Sequence, residues 1–184
     1  MSSIIVYGEG TSIRKKRVIT RETKPSPSNF YGDSKWKAEQ RLQPLSDEVF
    51  HVAILRPPMI YGKGCKGNYR TLEKIALHTP VFPDFPNERS MCSIKNLCGF
   101  VRMLAESQEA GLFFPQDPDY VKTAEMVEKL ARAHGKRVVL VKGMNWAIVL
   151  AGRMPGKIGG MVNKAFGSLV YEKNVDVGFS SLDD

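Results

Sequence analysis

The chain has 184 residues, 42% of them hydrophobic, which is enough for one domain with a sizeable core. Its longest apolar run, Trp146 to Gly152, falls far short of the ~20 residues a membrane span needs. A net charge of +8, from 27 Lys and Arg against 19 Asp and Glu, suits anionic partners.

Ser2 to Tyr7 is a short β-branched run closed by Gly8, the pattern of a buried parallel strand. It lacks the basic flank and the length of a signal peptide. Residues 8–29 are polar and contain Pro25 and Pro27, so a long loop is expected, and a loop of this length usually has a function. Within it, Arg14-Lys15-Lys16-Arg17 is expected as a solvated stretch. No aromatic platform interleaves with these cations, and no helix-turn-helix or zinc spacing appears, so nucleic acid is not an expected partner.

A helix is expected from Phe30 to about Leu45, capped by Ser28 or Asn29, with Tyr31, Ser34, Lys35, Ala38 and Leu42 forming a stripe. Phe50 to Leu55 reads as the next strand, stopped by Arg56-Pro57-Pro58. A glycine-rich loop, Gly62 to Gly67, leads to a helix over Asn68 to His78, and Pro80 to Asn87 is expected to be irregular. A helix over Ile94 to Ser107 carries apolar Leu97, Phe100, Val101 and Leu104, and Gly111 to Phe114 forms a short strand. Thr123 is the expected cap of a helix ending at Gly135, with Met126, Val127, Leu130 and Ala131 turned inward. Arg137 to Val141 suits a further strand, while Gly143 to Tyr171 mixes apolar residues with glycines and defines no clear element. The alternation of strand and helix predicts an α/β fold with parallel strands. The three cysteines, Cys65, Cys92 and Cys98, are odd in number and lack metal-ligand spacing. They are expected as reduced thiols in a cytoplasmic setting, with no metal site.

The sharpest chemical signal is Tyr31-Gly32-Asp33-Ser34-Lys35. At (i, i+4) the phenol and the ammonium share one helix face, and a nearby ammonium favours the phenolate form of a phenol. Ser3, at the N-terminal end of the first apolar run, is the expected donor that holds a substrate oxygen against Tyr31. Tyr31 is then the acid/base, Lys35 its electrostatic tuner and Ser3 the orienter. Tyr-x-x-x-Lys by itself recurs on many amphipathic helices, where the tyrosine packs in a core beside a snorkelling lysine. Here it lies between Ser2-Ser3-Ile4-Ile5-Val6-Tyr7-Gly8 and Leu55-Arg56-Pro57-Pro58-Met59-Ile60-Tyr61-Gly62.

With those motifs the chain resembles the extended short-chain dehydrogenase/reductase superfamily, and within it the NAD-dependent epimerase/dehydratase family that includes UDP-glucose 4-epimerase. The resemblance implies the C-terminal part of a Rossmann-like doubly wound parallel sheet plus a smaller substrate-binding region. Residues 1–62 would be a partial NAD-binding region with the catalytic Ser3, Tyr31 and Lys35, and residues 63–184 a mixture of substrate-binding and remaining Rossmann segments. It implies NAD as cofactor, with NADP as the alternative. Lys35 would also bond the nicotinamide ribose, and the Pro58 backbone would lie beside the carboxamide. Asn68 and Arg89 would bind the diphosphate of a nucleoside-diphosphate sugar, a role that suits the guanidinium fork. Asn68 reads equally as a helix cap, and Arg89 also as a surface charge.

The implied activity is sugar-nucleotide epimerisation or dehydration through transient hydride transfer, by a cytoplasmic homodimer with no membrane partner. A reductase of another carbonyl compound and a non-catalytic nucleotide-sensing relative are the alternatives. Two departures from the family pattern stand out. Pro57-Pro58-Met59 replaces the aromatic pair and asparagine of galactose-type epimerases, which leaves the particular sugar open. No Gly-x-x-Gly-x-x-Gly turn occurs in the chain, where the family uses one to cradle the pyrophosphate, and Gly62 to Gly67 follows the wrong strand. The expectation is therefore an inactive C-terminal portion, with Ser2 to Tyr7 as a sheet strand lacking partners on one side.

Overall fold

A computed structural model describes residues 1–65 and 67–173, so residues 174–184 of the second expected region lie outside the description. Among the described residues, eight three-residue strands form four parallel pairs, and six α-helices are interspersed among them. β1 (Arg17–Ile19) pairs with β8 (Leu169–Tyr171), and β2 (Ala53–Leu55) pairs with β6 (Gly111–Phe113). β3 (Met59–Tyr61) pairs with β5 (Met91–Ser93), and β4 (Val81–Pro83) with β7 (Val139–Val141). Parallel neighbours need crossover connections, supplied here by α1 (Phe30–Leu42), α2 (Asn68–His78), α3 (Ile94–Ser107) and α4 (Thr123–Ala133). The expected α/β class with parallel strands is what the structure shows. Three apolar clusters form the core, and α2 and α4 enclose the one built on Met91, Val127 and Ala131.

Several local expectations are overturned. Ser2 to Tyr7 is not a strand. Residues 2–4 run beside β2, with the Ser2 and Ile4 amides donating to the Leu55 and Pro57 carbonyls at 2.7 and 3.0 Å. Ile4–Tyr7 then winds into a 3₁₀ turn. The cause is local: Ser3 Oγ accepts from the Ile5 amide at 3.4 Å, and such side-chain caps compete with extended pairing.

The 8–29 segment is not wholly loop, because β1 lies inside it. Arg17 in the basic run is tied down rather than solvated, donating to the Gly10 and Tyr7 carbonyls at 3.2 and 2.5 Å. Lys16 pairs with Glu88. The irregular 80–87 stretch contains β4. The strand expected from Phe50 starts only at Ala53, because Asp47 Oδ1 accepts from the Val49 and Phe50 amides and holds them in a turn.

Thr123 is the first residue of α4 rather than its cap, which is Lys122. Asn87 takes over the capping role from outside, its Oδ1 accepting from the Thr123 amide at 3.0 Å and its Nδ2 donating to Thr123 Oγ1 at 2.8 Å. On α3, Leu97, Phe100 and Leu104 are buried but Val101 is exposed. The undefined 143–171 region holds α5 (Asn145–Arg153), α6 (Lys157–Phe166) and β8.

Candidate active site

The start of α1 is fixed by Asn29, whose Oδ1 accepts from the Gly32 amide at 2.7 Å. The helix turns Gly32 and Glu39 inward, with Trp36 packed against the apolar core. The Tyr31 stripe therefore faces away from the core, and Tyr31 is 54% exposed. An accessible phenol suits a group that must reach a substrate.

The 3₁₀ turn of residues 4–7 lies directly on this helix start. A Cβ added to Gly32 would stand 2.7 Å from the Ile5 carbonyl oxygen, so only glycine allows the two backbones to approach this closely. That contact brings Ser3 to the Tyr31 end of α1. Lys35 closes the group: its Nζ lies 5.7 Å from the Tyr31 ring centroid and donates to the Met1 carbonyl at 3.5 Å. Ser3 Oγ spends a lone pair on the Ile5 amide, which leaves its O–H free to donate to a bound oxygen. Pro58 is buried and sits on the same side of the fold, since Pro57 accepts from the Ile4 amide.

Asn68 and Arg89 stand apart, with no hydrogen bond to the trio among the described residues. Asn68 is exposed and opens α2, but the cap is Gly67, which offers no side chain to the first-turn amides. Helix N-termini left open in this way attract anions. Arg89 sits between Val121 and Leu169 in backbone bridges, and its Nη2 donates to the Lys164 carbonyl. Its Nε is buried with no partner among the described residues. Burial holds the Arg89 pKa below its ordinary value.

A second group behind the trio escaped the reading of the sequence. Arg56, just after β2, is buried and grips Glu39 of α1 through Nε at 3.0 and 3.2 Å and through Nη2. Its Nη1 donates to Tyr7 Oη at 2.6 Å, and Tyr171 Oη donates to the Arg56 carbonyl at 2.6 Å. Burial works against the guanidinium charge, but the bonds and charges of Glu39 and Tyr7 outweigh it and hold the Arg56 pKa above the ordinary value. Burial raises the Tyr7 pKa. This network locks α1 to β2 and to the 4–7 turn. The available signal was Glu39, one turn beyond Lys35, together with an arginine directly after an apolar strand.

A parallel α/β fold in which a serine-capped turn meets a Tyr-x-x-x-Lys helix is the arrangement expected of an extended short-chain dehydrogenase/reductase. Residues 5–88 match the model of a family described as male sterility protein. Over 163 residues the chain is 34% identical to UDP-glucose 4-epimerase of Vibrio cholerae, covering 85% of this chain and 49% of that protein. It is also 30% identical over 115 residues to N-acetyl-alpha-D-glucosaminyl-diphospho-ditrans,octacis-undecaprenol 4-epimerase of Escherichia coli O157:H7, covering 60% of this chain and 33% of that protein. Among solved structures, UDP-glucuronic acid 4-epimerase from Bacillus cereus in complex with NAD matches with a TM-score of 0.65 at 16% identity. That match covers 100% of this chain and 55% of the other. Over most of its length the chain is therefore similar to a sugar 4-epimerase, and its fold matches that of an NAD-bound one. The chain spans about half the length of its Vibrio cholerae relative and about a third of the second.

Proposed function

We propose that this chain forms the catalytic and substrate-binding part of an NAD-dependent epimerase or dehydratase of nucleoside-diphosphate sugars, similar to UDP-sugar 4-epimerases. One observation carries the reading: the Gly32–Ile5 approach and the Lys35–Met1 bond gather Ser3, Tyr31 and Lys35 at one exposed helix end. A core tyrosine beside a snorkelling lysine would not need an exposed phenol.

In this reading Ser3 holds the sugar oxygen, Tyr31 takes and returns its proton, and Lys35 stabilises the phenolate. Residues 1–62 carry this chemistry, and residues 63–184 bind the sugar nucleotide and complete the fold. The residues present fit the nicotinamide end of NAD, with Tyr31 and Lys35 accessible and Pro58 beside the Ser3 turn. Bound NAD or NADP supplies the reversible redox step. Lys35 and the Pro58 backbone would hold its ribose and carboxamide. The open N-terminus of α2 at Asn68, together with Arg89, would take the diphosphate.

The 184 residues contain no Gly-x-x-Gly-x-x-Gly turn. We therefore propose that the polypeptide alone holds NAD weakly and does not turn over. Calorimetric titration checks this, and micromolar affinity would contradict it. The function itself is tested by joining the chain to the part of the Vibrio cholerae relative that it does not span. Following UDP-glucose by NMR, the joined protein should invert C4. A folded, NAD-binding chimera that converts no UDP-sugar would overturn the reading.

A further inference from the structure

We infer that the α5–α6 hairpin is an interfacial element that seats this protein on an anionic bilayer surface. The inference is independent of the catalytic reading and begins with charge. From Lys129 to Tyr171 the sequence contains eight lysines and arginines and no aspartate or glutamate. Of the chain's 27 basic residues, the 19 outside this segment balance all 19 acidic ones. Four of the eight, Lys129, Arg132, Lys136 and Arg137, lie on α4 and the stretch before β7, and the other four belong to the hairpin and the turn before it. Those four are Lys142, Arg153, Lys157 and Lys164, the last paired with Glu9.

The hairpin also exposes large apolar side chains. Trp146, Leu150 and Arg153 recur at i, i+4 and i+7 on the outer face of α5, while Ile148 is buried on the other. Trp146 is 70% and Leu150 59% exposed. Ile158 and Met161 of α6 continue the pattern, Met161 at 66% exposed, and Gly159 is buried.

This exposure does not come from a loosely held segment, because the inner face is already packed. Thr11 Oγ1 donates to the Asn163 carbonyl at 2.6 Å, and Asn163 Oδ1 accepts from the Ile13 amide at 3.1 Å. Asn163 Nδ2 ties the two helices through the Gly152 and Gly159 carbonyls at 2.9 and 2.8 Å. A Cβ on Gly152 would meet Ile13 Cδ1 at 2.5 Å. The hairpin is fixed by that face and presents the other.

An outer face of Trp, Leu, Met and Ile set among Lys and Arg, with no carboxylate on the hairpin, has the composition of helices that lie in a headgroup layer. Helices of 9 and 10 residues reach only about 15 Å, half of the ~30 Å hydrocarbon core, so they lie on a bilayer and do not cross it. Basic clusters of this kind are drawn to anionic lipid.

Vesicle flotation of the full chain tests the inference. Binding to mixed phosphatidylglycerol and phosphatidylcholine vesicles should exceed binding to pure phosphatidylcholine by roughly tenfold or more at low salt, and fall as salt rises. Trp146 emission should shift to the blue on the anionic vesicles. The variant W146S/L150S/M161S should lose about tenfold or more of the binding, and R153E/K157E should lose the preference for anionic lipid. Wild-type binding indifferent to lipid charge, or a triple variant that floats like wild type, would overturn the proposal. So would self-association in sedimentation velocity that the triple variant abolishes, without vesicle binding, because the face would then join copies of this chain.

Discussion

Replacing Glu39 by glutamine removes one charge from the network that holds α1 to β2, and the structure sets the size of the effect. The Glu39 and Arg56 side chains are only 4% and 5% exposed, so the guanidinium left behind cannot recover its hydration. Glutamine keeps the shape and one acceptor oxygen, but Arg56 Nε and Nη2 lose the carboxylate that now receives them. Breaking a buried pair on one side costs about 3–5 kcal/mol. For a domain of this size each kcal/mol shifts the melting temperature by about 2–4 °C, so Glu39→Gln should melt roughly 6–20 °C lower. The double variant Glu39→Gln/Arg56→Met removes the orphaned charge and should regain part of the loss. Thermal unfolding followed by circular dichroism reads both. A Glu39→Gln protein melting within a degree of wild type, or a double variant worse than the two single losses combined, would refute the argument.

Three further outcomes follow from the geometry. In the joined, NAD-binding chimera, Gly32→Ala should push the 4–7 turn off α1, since the new methyl meets backbone rather than a movable side chain; turnover should fall far more than NAD affinity, and an unchanged rate would dissociate Ser3 from the site. In the same chimera, Arg89→Ala should weaken UDP binding by roughly tenfold or more, the value of a lost charged contact, with NAD affinity little changed; unchanged UDP affinity would leave Arg89 as a brace for α6. Burial, with the Asp117 charge behind it, pushes the Cys92 thiol up to about 12. At pH 8 a thiol reagent should therefore modify exposed Cys98 and spare Cys92, as mass spectrometry would show. The raised value stabilises the fold below the ordinary thiol range near 8.5, and that contribution is lost as pH climbs toward 12.

The parts of the fold legible in the sequence were those with long periodic signals. α2 and α3 run as expected, and Met126, Val127, Leu130 and Ala131 face inward on α4. Ser3, Tyr31 and Lys35 are proposed from residue type and spacing, and the structure sets the 4–7 turn against the start of α1. What stayed hidden depends on partners far away in the chain. β1 has three residues, too few for a period, and exists because β8 lies beside it more than a hundred residues later. The run Ser2 to Tyr7 has strand composition, yet a single Ser3 cap bends it. Which face of α1 is buried was not legible: the helix buries a glycine and a glutamate and exposes Tyr31. Glu39 was hidden because a buried carboxylate makes sense only once Arg56 is seen opposite it.

The measurement that bears most directly on the central claim is the turnover of Tyr31→Phe in the NAD-competent protein, read beside its NAD affinity. Loss of a general acid/base group lowers the rate by ~10²–10⁴-fold, and phenylalanine keeps the ring while removing only the hydroxyl. Turnover should therefore fall within that range while NAD binding is retained, and Lys35→Met should damage both. Near-normal turnover by Tyr31→Phe on a UDP-sugar would contradict the assignment of Ser3, Tyr31 and Lys35 as the catalytic site.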